Sequence, residues 1–243
     1  MVFWGASEEY VKGLDMNNLA KYSLGLICLG VYINSYSASF DCSNATQRVE
    51  KMICSDIRLS TIDSNLYSTY IFARRVVGNS SAFKANGKNA IKWRNHNCTT
   101  SKCIEDWYFN RELELEIIGS TGFVAPSSCV VSGSYSSVRG RIVKETYPGL
   151  PNYESVKNGD KPMTYWFLKT EKPICSYKSD MTTGELTKIA SQNKFQLVID
   201  NYGKYKNKQG KLVTVHGMPY SRHTGYHNTA LLIKVANINL DVR

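Results

Sequence analysis

Six cysteines follow a segment with the pattern of a secretion signal, and this combination limits the folds open to the chain. The six are Cys42, Cys54, Cys98, Cys103, Cys129 and Cys175. An even number of cysteines in an exported chain predicts disulfide bonds, which persist outside the cytoplasm. A seventh, Cys28, lies inside the signal-like segment. We therefore expect a disulfide-bonded protein that is periplasmic or secreted.

Residues 16–38 have the order of a secretory signal. Met16 opens a short segment with one lysine, residues 22–33 (YSLGLICLGVYI) are apolar, and residues 34–38 (NSYSA) are mostly small. A membrane-spanning helix needs about 20 apolar residues, so this shorter run favours a cleaved signal over an anchor. Residues 1–15 have no targeting character, and we expect them to be an over-called start that precedes the biological one at Met16.

The positive charge is concentrated in the second half of the chain. The net charge is +10, and residues 119–243 hold 17 basic and 8 acidic side chains. Such asymmetry favours an acidic partner or an anionic envelope surface, and the alternative is a basic surface that only keeps the protein soluble. Nucleic acid is not expected as a partner, because an exported, disulfide-bonded chain rarely meets it.

Residues 39–118 have the pattern of a small helical domain. Val49, Met52 and Ile53 share one face of a helix over residues 46–55, with Thr46 as its expected cap. Asp56 has the character of the next cap, for a helix that ends where Gly78 breaks the pattern. Two further helices are predicted over residues 82–96 and 103–118. A helical core of this size gains from disulfide bonds.

The cysteines fit these helices. Cys42 and Cys54 bracket the first helix, and Cys98 and Cys103 close a short loop before the last, although six cysteines allow many other pairings. The alternative for Cys98 and Cys103 is a metal site. Zinc would need a second pair of ligands at matched spacing, and only His96 is near, so no metal is expected.

Three segments of this half carry a family resemblance: FDCSNATQRVEKMICSD, LSTIDSNLYSTY, and AIKWRNHNC followed by SKCIEDWYFNRELELE. Their cysteines, with Asp63, Tyr70 and Trp93, resemble the LprI-like lysozyme-inhibitor domain over about residues 40–118. Ile62 stands where the family usually has Leu, and residues 95–97 lack a common Arg. The resemblance implies an exported helical domain that inhibits lysozyme. It carries over no inhibitory residue.

After a linker at residues 119–128, residues 129–243 have the pattern of a β-rich domain. Short β-branched or aromatic runs are separated by turn signals at 148–149, 158–160, 208–210 and 218–219. The strands are expected within residues 130–144, 165–169, 195–200, 211–216 and 230–240. We therefore predict an α+β protein whose second domain is a small β-barrel or sandwich, possibly OB-like. Cys129 and Cys175 would join its first strand to a central one.

This half also resembles a domain family of unknown function that is often found behind such an N-terminal domain. The residues that carry the resemblance are GLPNYES at 149–155, GD at 159–160, LK at 168–169, PIC at 173–175, QL at 196–197, VHG at 215–217 and HTGYHNT at 223–229. Leu150, Tyr226 and Asn228 depart from the usual pattern. The resemblance implies a fold but little function.

Three places in the β-rich half are candidates for partner binding, each with a structural alternative. Asn152 and Tyr153 lie in a loop that contacts a partner or only joins two strands. A second loop contains His223, Thr224, Tyr226 and His227. Its histidines, together with His216, suggest a metal site. No carboxylate lies near them in the sequence, so a hydrogen-bonded turn is favoured over a metal site. Lys204, Lys206 and Lys208 bind an anionic surface or form a solvated hairpin tip.

No arrangement of residues indicates catalysis. The acidic side chains are scattered, and no G-x-S-x-G turn is present, so neither paired-carboxylate nor serine-nucleophile chemistry is expected. No cofactor is expected either. The sequence predicts a binding protein whose partner is a cell-wall lytic enzyme. The alternatives are an immunity protein against a delivered muramidase or phospholipase, and a module that binds anionic lipid or glycan.

Overall fold

The structure, a computed structural model, describes residues 38–180 and 182–241. The predicted over-called start at residues 1–15 and nearly all of the predicted signal at residues 16–38 lie outside this part of the chain. All described residues belong to one compact unit.

The N-terminal part contains four α-helices after a short 3-10 helix at Cys42–Asn44. They are α1 (Arg48–Ser55), α2 (Ile57–Val77), α3 (Ser81–Asn97) and α4 (Ser101–Thr121). All four predicted helices are present. None of the helices in the described part is long and apolar enough to cross a membrane.

Capping residues set the helix boundaries. Asp56 caps α2 as predicted, since its side chain accepts hydrogen bonds from the amides of Arg58 and Leu59. The predicted cap of α1 at Thr46 is wrong by one residue: Gln47 is the cap and forms a capping box with Glu50. The Glu50 carboxylate accepts hydrogen bonds from the backbone amides of both Thr46 and Gln47. These bonds fix the start of α1 directly after Gln47.

A buried polar network joins the helices. The Tyr108 hydroxyl donates to the Asp63 carboxylate at 2.6 Å, and Arg94 donates to the same hydroxyl at 3.2 Å. The Asp63 carboxylate also accepts the backbone amide of Ser39 at 2.6 Å. Burial raises the pKa of Tyr108, so this phenol stays protonated. The network fixes the positions of α2, α3 and α4 because each of its members would cost free energy if left unpaired.

Three disulfide bonds are present, as predicted. Cys42 pairs with Cys54, Cys98 with Cys103, and Cys129 with Cys175, at Cα–Cα distances of 5.7, 5.3 and 4.7 Å. The first two bonds staple the helical part. Cys129 lies directly before the first strand and Cys175 lies in the third, so the last bond joins two neighbouring strands.

The C-terminal part forms a six-stranded mixed sheet. Its strands are β1 (Val130–Val131), β2 (Ser136–Pro148), β3 (Pro162–Ser179), β4 (Leu186–Val198), β5 (Leu212–Ser221) and β6 (Leu231–Leu240). The order is β1-β3-β2-β5-β6-β4, with an additional β3–β4 ladder. Pairs β1–β3 and β4–β6 are parallel, and the other pairs are antiparallel. The protein is therefore α+β; the barrel or sandwich stays a prediction.

Some strand boundaries differ from the prediction. The strand expected over residues 130–144 is divided into β1 and β2 by a turn at Gly133, whose φ is +84°. β3 continues from Pro162 through Pro173 to Ser179, where only residues 165–169 were expected. A register shift between Lys169 and Ile174 accommodates this interruption within one continuous strand.

The turn predicted at Met218-Pro219 is wrong, because both residues lie inside β5. Pro219 pairs with Ile233 of β6, while the β2 ladder ends at Gly217. The Pro219 carbonyl accepts from the Gly133 amide on the β1–β2 side of the strand. In an extended strand the N and the C=O of one residue point to the same neighbouring strand. The side of Pro219 that lacks an N–H therefore faces away from β6, toward the side where the pairing with β2 has already ended.

The helical part packs against the sheet through the segment that starts β2. The rings of Trp93 and Tyr135 stack with centroids 4.0 Å apart, and the Trp93 indole N–H donates to the Ser136 carbonyl at 3.3 Å. The Ser134 hydroxyl donates to the Glu114 carboxylate at 2.6 Å. Inside the sheet, a separate apolar core includes Trp166, Leu168, Phe195 and Leu197.

Candidate functional site

Two of the three predicted binding segments meet in the structure, and we call them together the two-loop surface. They are the β2–β3 loop (residues 149–161) and the β5–β6 loop (residues 222–230). The rings of Tyr153 and Tyr226 join the loops edge to face, with centroids 5.1 Å apart. A hydrogen bond with Tyr226, assisted by desolvation, raises the pKa of Tyr153 to about 12. The Tyr153 phenol is therefore neutral and can both donate and accept a hydrogen bond.

A single carboxylate organises the β2–β3 loop. Asp160 is buried and accepts the backbone amides of Asn152, Glu154 and Ser155 at 2.8, 2.7 and 2.8 Å. The hydrogen bonds from the Asn152 and Ser155 amides lower the pKa of Asp160 below its usual range. Tyr153, enclosed by these bonds, has a left-handed backbone with φ of +59°. The loop is thus pre-organised, and Asn152 serves it through its backbone.

The β5–β6 loop is held in place by hydrogen bonds to Gln196, a buried residue of β4. The Gln196 side-chain amide donates to the Tyr226 carbonyl at 2.9 Å, and its oxygen accepts the Asn228 amide at 2.7 Å. The Gln196 backbone amide donates to the Thr229 hydroxyl at 3.0 Å. Gln196 was not among the predicted site residues, although its place in the QL motif of the resemblance was a usable signal. It presents the Tyr226 ring by holding the backbone on either side of it.

His223 and His227 lie together in the β5–β6 loop. Their ring centroids are 4.5 Å apart, and the backbone amide of His223 donates to Nδ1 of His227 at 3.2 Å. Burial and the neighbouring His223 and Arg222 lower the pKa of His227, so this ring is neutral at pH 7. Within the described residues, no group of three or more His, Cys, Asp or Glu side chains is arranged to hold a metal ion.

The third histidine of the predicted cluster, His216, lies elsewhere. Its ring is 5.7 Å from that of His96 on α3, where the sheet meets the helices. Nδ1 lies 2.7 Å from the Ser137 hydroxyl, and Nε2 lies 3.2 Å from the Asn239 side-chain amide. Because that amide nitrogen can only donate, Nε2 accepts, and Nδ1 carries the proton toward Ser137. His216 is therefore a structural residue of the helix–sheet interface.

The stability of this interface should depend on pH. Burial, with a smaller contribution from His96, lowers the pKa of His216 below its ordinary value of 6.5. The unfolded chain therefore takes up this proton first, and stability falls as the pH drops from 6.5 toward the folded pKa, by at most about 1.4 kcal/mol per pH unit. Urea unfolding experiments at several pH values across the range in which histidine titrates, about pH 5 to 8, would measure how stability changes with pH.

The matching variant is His216→Gln, which does not titrate. In this variant the dependence of stability on pH should lose the contribution of His216 and keep the contribution of His227. An unchanged slope in this variant would contradict the assignment of His216 as a buried, neutral residue of the interface.

The predicted lysines do not form a hairpin tip. Lys204, Lys206 and Lys208 lie on a 3-10 helix, Tyr202–Lys208, and the intervening Tyr205 is buried in the sheet core. The ammonium groups of Lys204 and Lys208 lie 5.1 and 5.4 Å from the centre of the Tyr205 ring. Lys208 also donates to the Ile238 carbonyl, and burial and Lys204 lower its pKa. Lys208 thus has a structural role, and Lys206 is exposed.

Beside the two-loop surface, the outer side of β2–β4 carries an aromatic cluster that sequence reasoning missed. Phe167 is fully buried although it alternates with the core residues Trp166 and Leu168. The Tyr147 ring centroid lies 5.6 Å from that of Phe167. Lys194 lies 4.9 Å from the Phe167 ring and donates to Glu145 at 2.8 Å. The sequence signal for a second packed face is the run of three apolar residues at 166–168, because successive side chains of a strand point to opposite faces of the sheet.

A basic row continues along the same strands. Arg141 of β2 is directly opposite Lys169 of β3, and Lys169 is directly opposite Lys194 of β4. Like charges at directly opposed positions are unfavourable, and Glu145 forms an ion pair with Lys194, the last of them. Arg141 and Lys169 are exposed. The row is a place where an anionic ligand would relieve repulsion.

The comparison with protein families gives one match. Residues 194–239 match a family described as a domain of unknown function, DUF4431. The matched segment contains the end of β4, β5, β6 and the β5–β6 loop with its anchor Gln196. A search of curated proteins finds no match to this chain. Over these residues the C-terminal part is therefore similar to a domain family of unknown function, as predicted.

Proposed function

We propose that the protein is an exported, non-catalytic binding protein that uses the two-loop surface to bind a protein partner. The observation that carries the proposal is the pre-organised loop pair, which presents large apolar side chains to solvent. The exposed fractions on the loops are 49% for Leu150, 44% for Val156 and 39% for Tyr226, and Met163 at the adjoining start of β3 is 36% exposed. Such side chains around rigid aromatic rings are typical of protein-binding surfaces, whose central residues contribute most of the affinity.

The strand pairing supports this location. We infer that β2–β6 form a small closed barrel of the OB type, because the ladders run β2-β3-β4-β6-β5 and return to β2, with β4 and β6 parallel. OB-type barrels bind ligands on the face of the second and third strands and in the loops after the first and fourth. Here these are the β3–β4 face and the two loops of the two-loop surface.

The helical part supports the class of partner. Its cysteine pairs and the Asp63 network lie in the segments that resemble the LprI-like lysozyme-inhibitor domain. We therefore propose a lysozyme or another cell-wall lytic enzyme as the partner, and inhibition by steric blockage as the activity. The net charge of +10 favours an acidic or neutral enzyme over a strongly cationic one, which it would repel. A delivered periplasmic toxin of the muramidase class would be inhibited in the same way.

The test is inhibition of purified muramidases by the oxidised protein, with Tyr226→Ala as the variant. Tyr226 holds its loop through its backbone carbonyl, so the variant removes the ring and leaves the loop in place. We expect affinity to fall about 30-fold, as for a central interface residue worth about 2 kcal/mol. Tyr67→Ala is the matched control, since Tyr67 is 51% exposed, somewhat more than Tyr226, but lies on α2. Full inhibition by Tyr226→Ala, or none by the wild type, would overturn the proposal.

The basic row favours a second candidate function. Arg141, Lys169 and Lys194 would place three cations about 5 Å apart across neighbouring strands, a spacing suited to an anionic glycan or lipid surface. Binding of this kind weakens strongly with salt. If Lys169→Ala abolishes retention on envelope material while Tyr226→Ala does not, this second function replaces the first.

A further inference from the structure

Two asparagine–glycine pairs occur in the sequence, Asn86-Gly87 and Asn158-Gly159. Such a pair can react with itself, because glycine has no side chain that hinders attack of its backbone nitrogen on the preceding side-chain amide. The first pair lies inside α3, and the second lies in the β2–β3 loop of the two-loop surface. The chain therefore contains the same reactive dipeptide in two different structural settings.

The surroundings of Asn158 leave this side chain open to reaction. Asn158 is exposed, and its side-chain amide has no hydrogen-bond partner among the described residues. The Gly159 amide donates one long hydrogen bond, to the Val156 carbonyl at 3.3 Å, at the end of a short 3-10 helix. Gly159 has a φ of +105°, and an added Cβ would meet no atom within 4 Å, so the space beside Gly159 is open.

Asn86 is held back from the same reaction. Its side-chain NH₂ group donates to the Glu114 carboxylate at 2.8 Å. Gly87 lies in the interior of α3, where the backbone N–H of a residue is bonded to the preceding turn. Its nitrogen can reach the Asn86 side chain only when the helix opens, and this opening costs more free energy than the rearrangement of an exposed turn.

We propose that Asn158 is a site of spontaneous deamidation and isomerisation that inactivates the two-loop surface as the protein ages. The Gly159 nitrogen bonds to Cγ of Asn158, the Cγ–Nδ2 bond breaks, and the amide proton leaves with the departing ammonia. The product is a cyclic imide, which water then opens. Cleavage at Cγ gives aspartate, whereas cleavage at the backbone carbonyl carbon gives isoaspartate, whose main chain is longer by one methylene group.

Isoaspartate at position 158 would disturb the loop because Asp160, its organising carboxylate, is only two residues away. The Ser155 carbonyl accepts the amides of Asn158 at 3.1 Å and Asp160 at 3.2 Å, and these bonds fix the span between them. An added methylene moves Asp160 away from the loop amides that it accepts. Tyr153 is enclosed by those bonds, so its contact with Tyr226 should be lost.

The modification is tested by ageing the oxidised full chain in mildly alkaline buffer, because the attacking amide must lose its proton. Peptide mass spectrometry would quantify the replacement of the side-chain NH₂ by the heavier OH at each pair, and isoaspartyl methyltransferase would label the isomer. We expect Asn158 to react at least about tenfold faster than Asn86. Equal rates at the two pairs, or no product at Asn158, would overturn the proposal.

Asn158→Gln is the matched variant, because it keeps the amide but would have to form a larger and less favourable ring. It should remain unmodified at this position over the same time. Asn158→Asp introduces the charge without the added methylene, so it separates the effect of the charge from that of the longer chain. If Asn158→Asp alone disrupted the loop as fully as ageing does, isomerisation would not be the cause.

The effect on the loop is measured without a partner. In NMR spectra the nuclear Overhauser contact between the rings of Tyr153 and Tyr226, whose centroids are 5.1 Å apart, should disappear in the aged wild type and persist in aged Asn158→Gln. Its persistence in isoaspartate-containing protein would overturn inactivation. The accompanying loss of muramidase inhibition rests on the proposed function. Absence of inhibition by fresh protein would contradict that function alone, since the mass and NMR measurements do not depend on it.

Discussion

Replacing Cys129 and Cys175 together by serine should lower the free energy of unfolding by about 4 kcal/mol. The bond closes a loop with a sequence separation of 46, the largest of the three disulfides, and a cross-link restricts the unfolded chain more as its loop grows. It also joins the start of β1 to β3 beside the helix–sheet interface. Equilibrium unfolding in guanidinium chloride, with the variant and the wild type both oxidised, would measure the loss.

The matched comparison is the Cys98/Cys103 pair, whose sequence separation is only 5. Its double serine variant should lose about 2 kcal/mol by the same relation. Equal losses in the two double variants would contradict this explanation, since they would show that the stabilisation does not come from loop closure. A larger loss for the short loop would contradict it more strongly.

Gly217→Ala should cost about 3 kcal/mol, at the upper end for overpacking. A Cβ atom at this position would lie 2.3 Å from the Lys234 carbonyl oxygen and 2.7 Å from Cγ2 of Ile233. The first of these is a backbone atom of the paired strand β6, so it cannot move without breaking the ladder. Gly217 lies at the register shift of the β5–β6 pair, where the two strands come this close. Urea denaturation would measure the cost.

Gly87→Ala provides a control of opposite sign. Gly87 lies inside α3, and the nearest atom to an added Cβ is Nη2 of Arg111 at 4.0 Å. The variant should stabilise the protein by up to about 1 kcal/mol, because alanine favours the helix. If Gly217→Ala were as stable as the wild type, the close approach of β5 and β6 would not be a real constraint on this fold.

The helices were predictable because their signals are local. Asp56 and Gly78 mark the ends of α2, and both act within a few residues of their own position. Where the prediction was wrong, a competing local group decided: the Glu50 carboxylate moved the start of α1 from Thr46 to Gln47. The cysteine pairs of the helical part were likewise indicated by nearness in sequence.

The sheet was less predictable because its geometry depends on residues far apart in sequence. Pro219 has the character of a turn residue, and only the end of the β2 ladder at Gly217 makes it acceptable in a strand. Tyr205 lies between lysines, as in a solvated turn, yet its ring completes the sheet core. His216 was grouped with His223 and His227 by sequence distance, whereas its partner His96 comes from a helix.

The candidate site was predicted in its parts but not as a whole. Tyr153 and Tyr226 were each selected for their loop motif, and nothing local indicates that their rings meet. The supports were missed for a related reason. Asp160 and Gln196 act through hydrogen bonds to backbone groups of neighbouring turns, and such bonds leave no periodic pattern in a sequence.

The strand order has a consequence for how this domain can be inherited. The family match begins at residue 194, inside β4, and leaves out β2 and β3. Both are direct neighbours of matched strands, since β5 pairs with β2 and β4 pairs with β3. If residues 194–239 were transferred alone in a gene fusion, β5 would lack its partner β2 and β4 would lack its partner β3. Such unpaired strand edges promote aggregation. The piece that duplication or recombination can transfer intact is therefore the whole of β1 to β6, with the disulfide that ties its first strand in place.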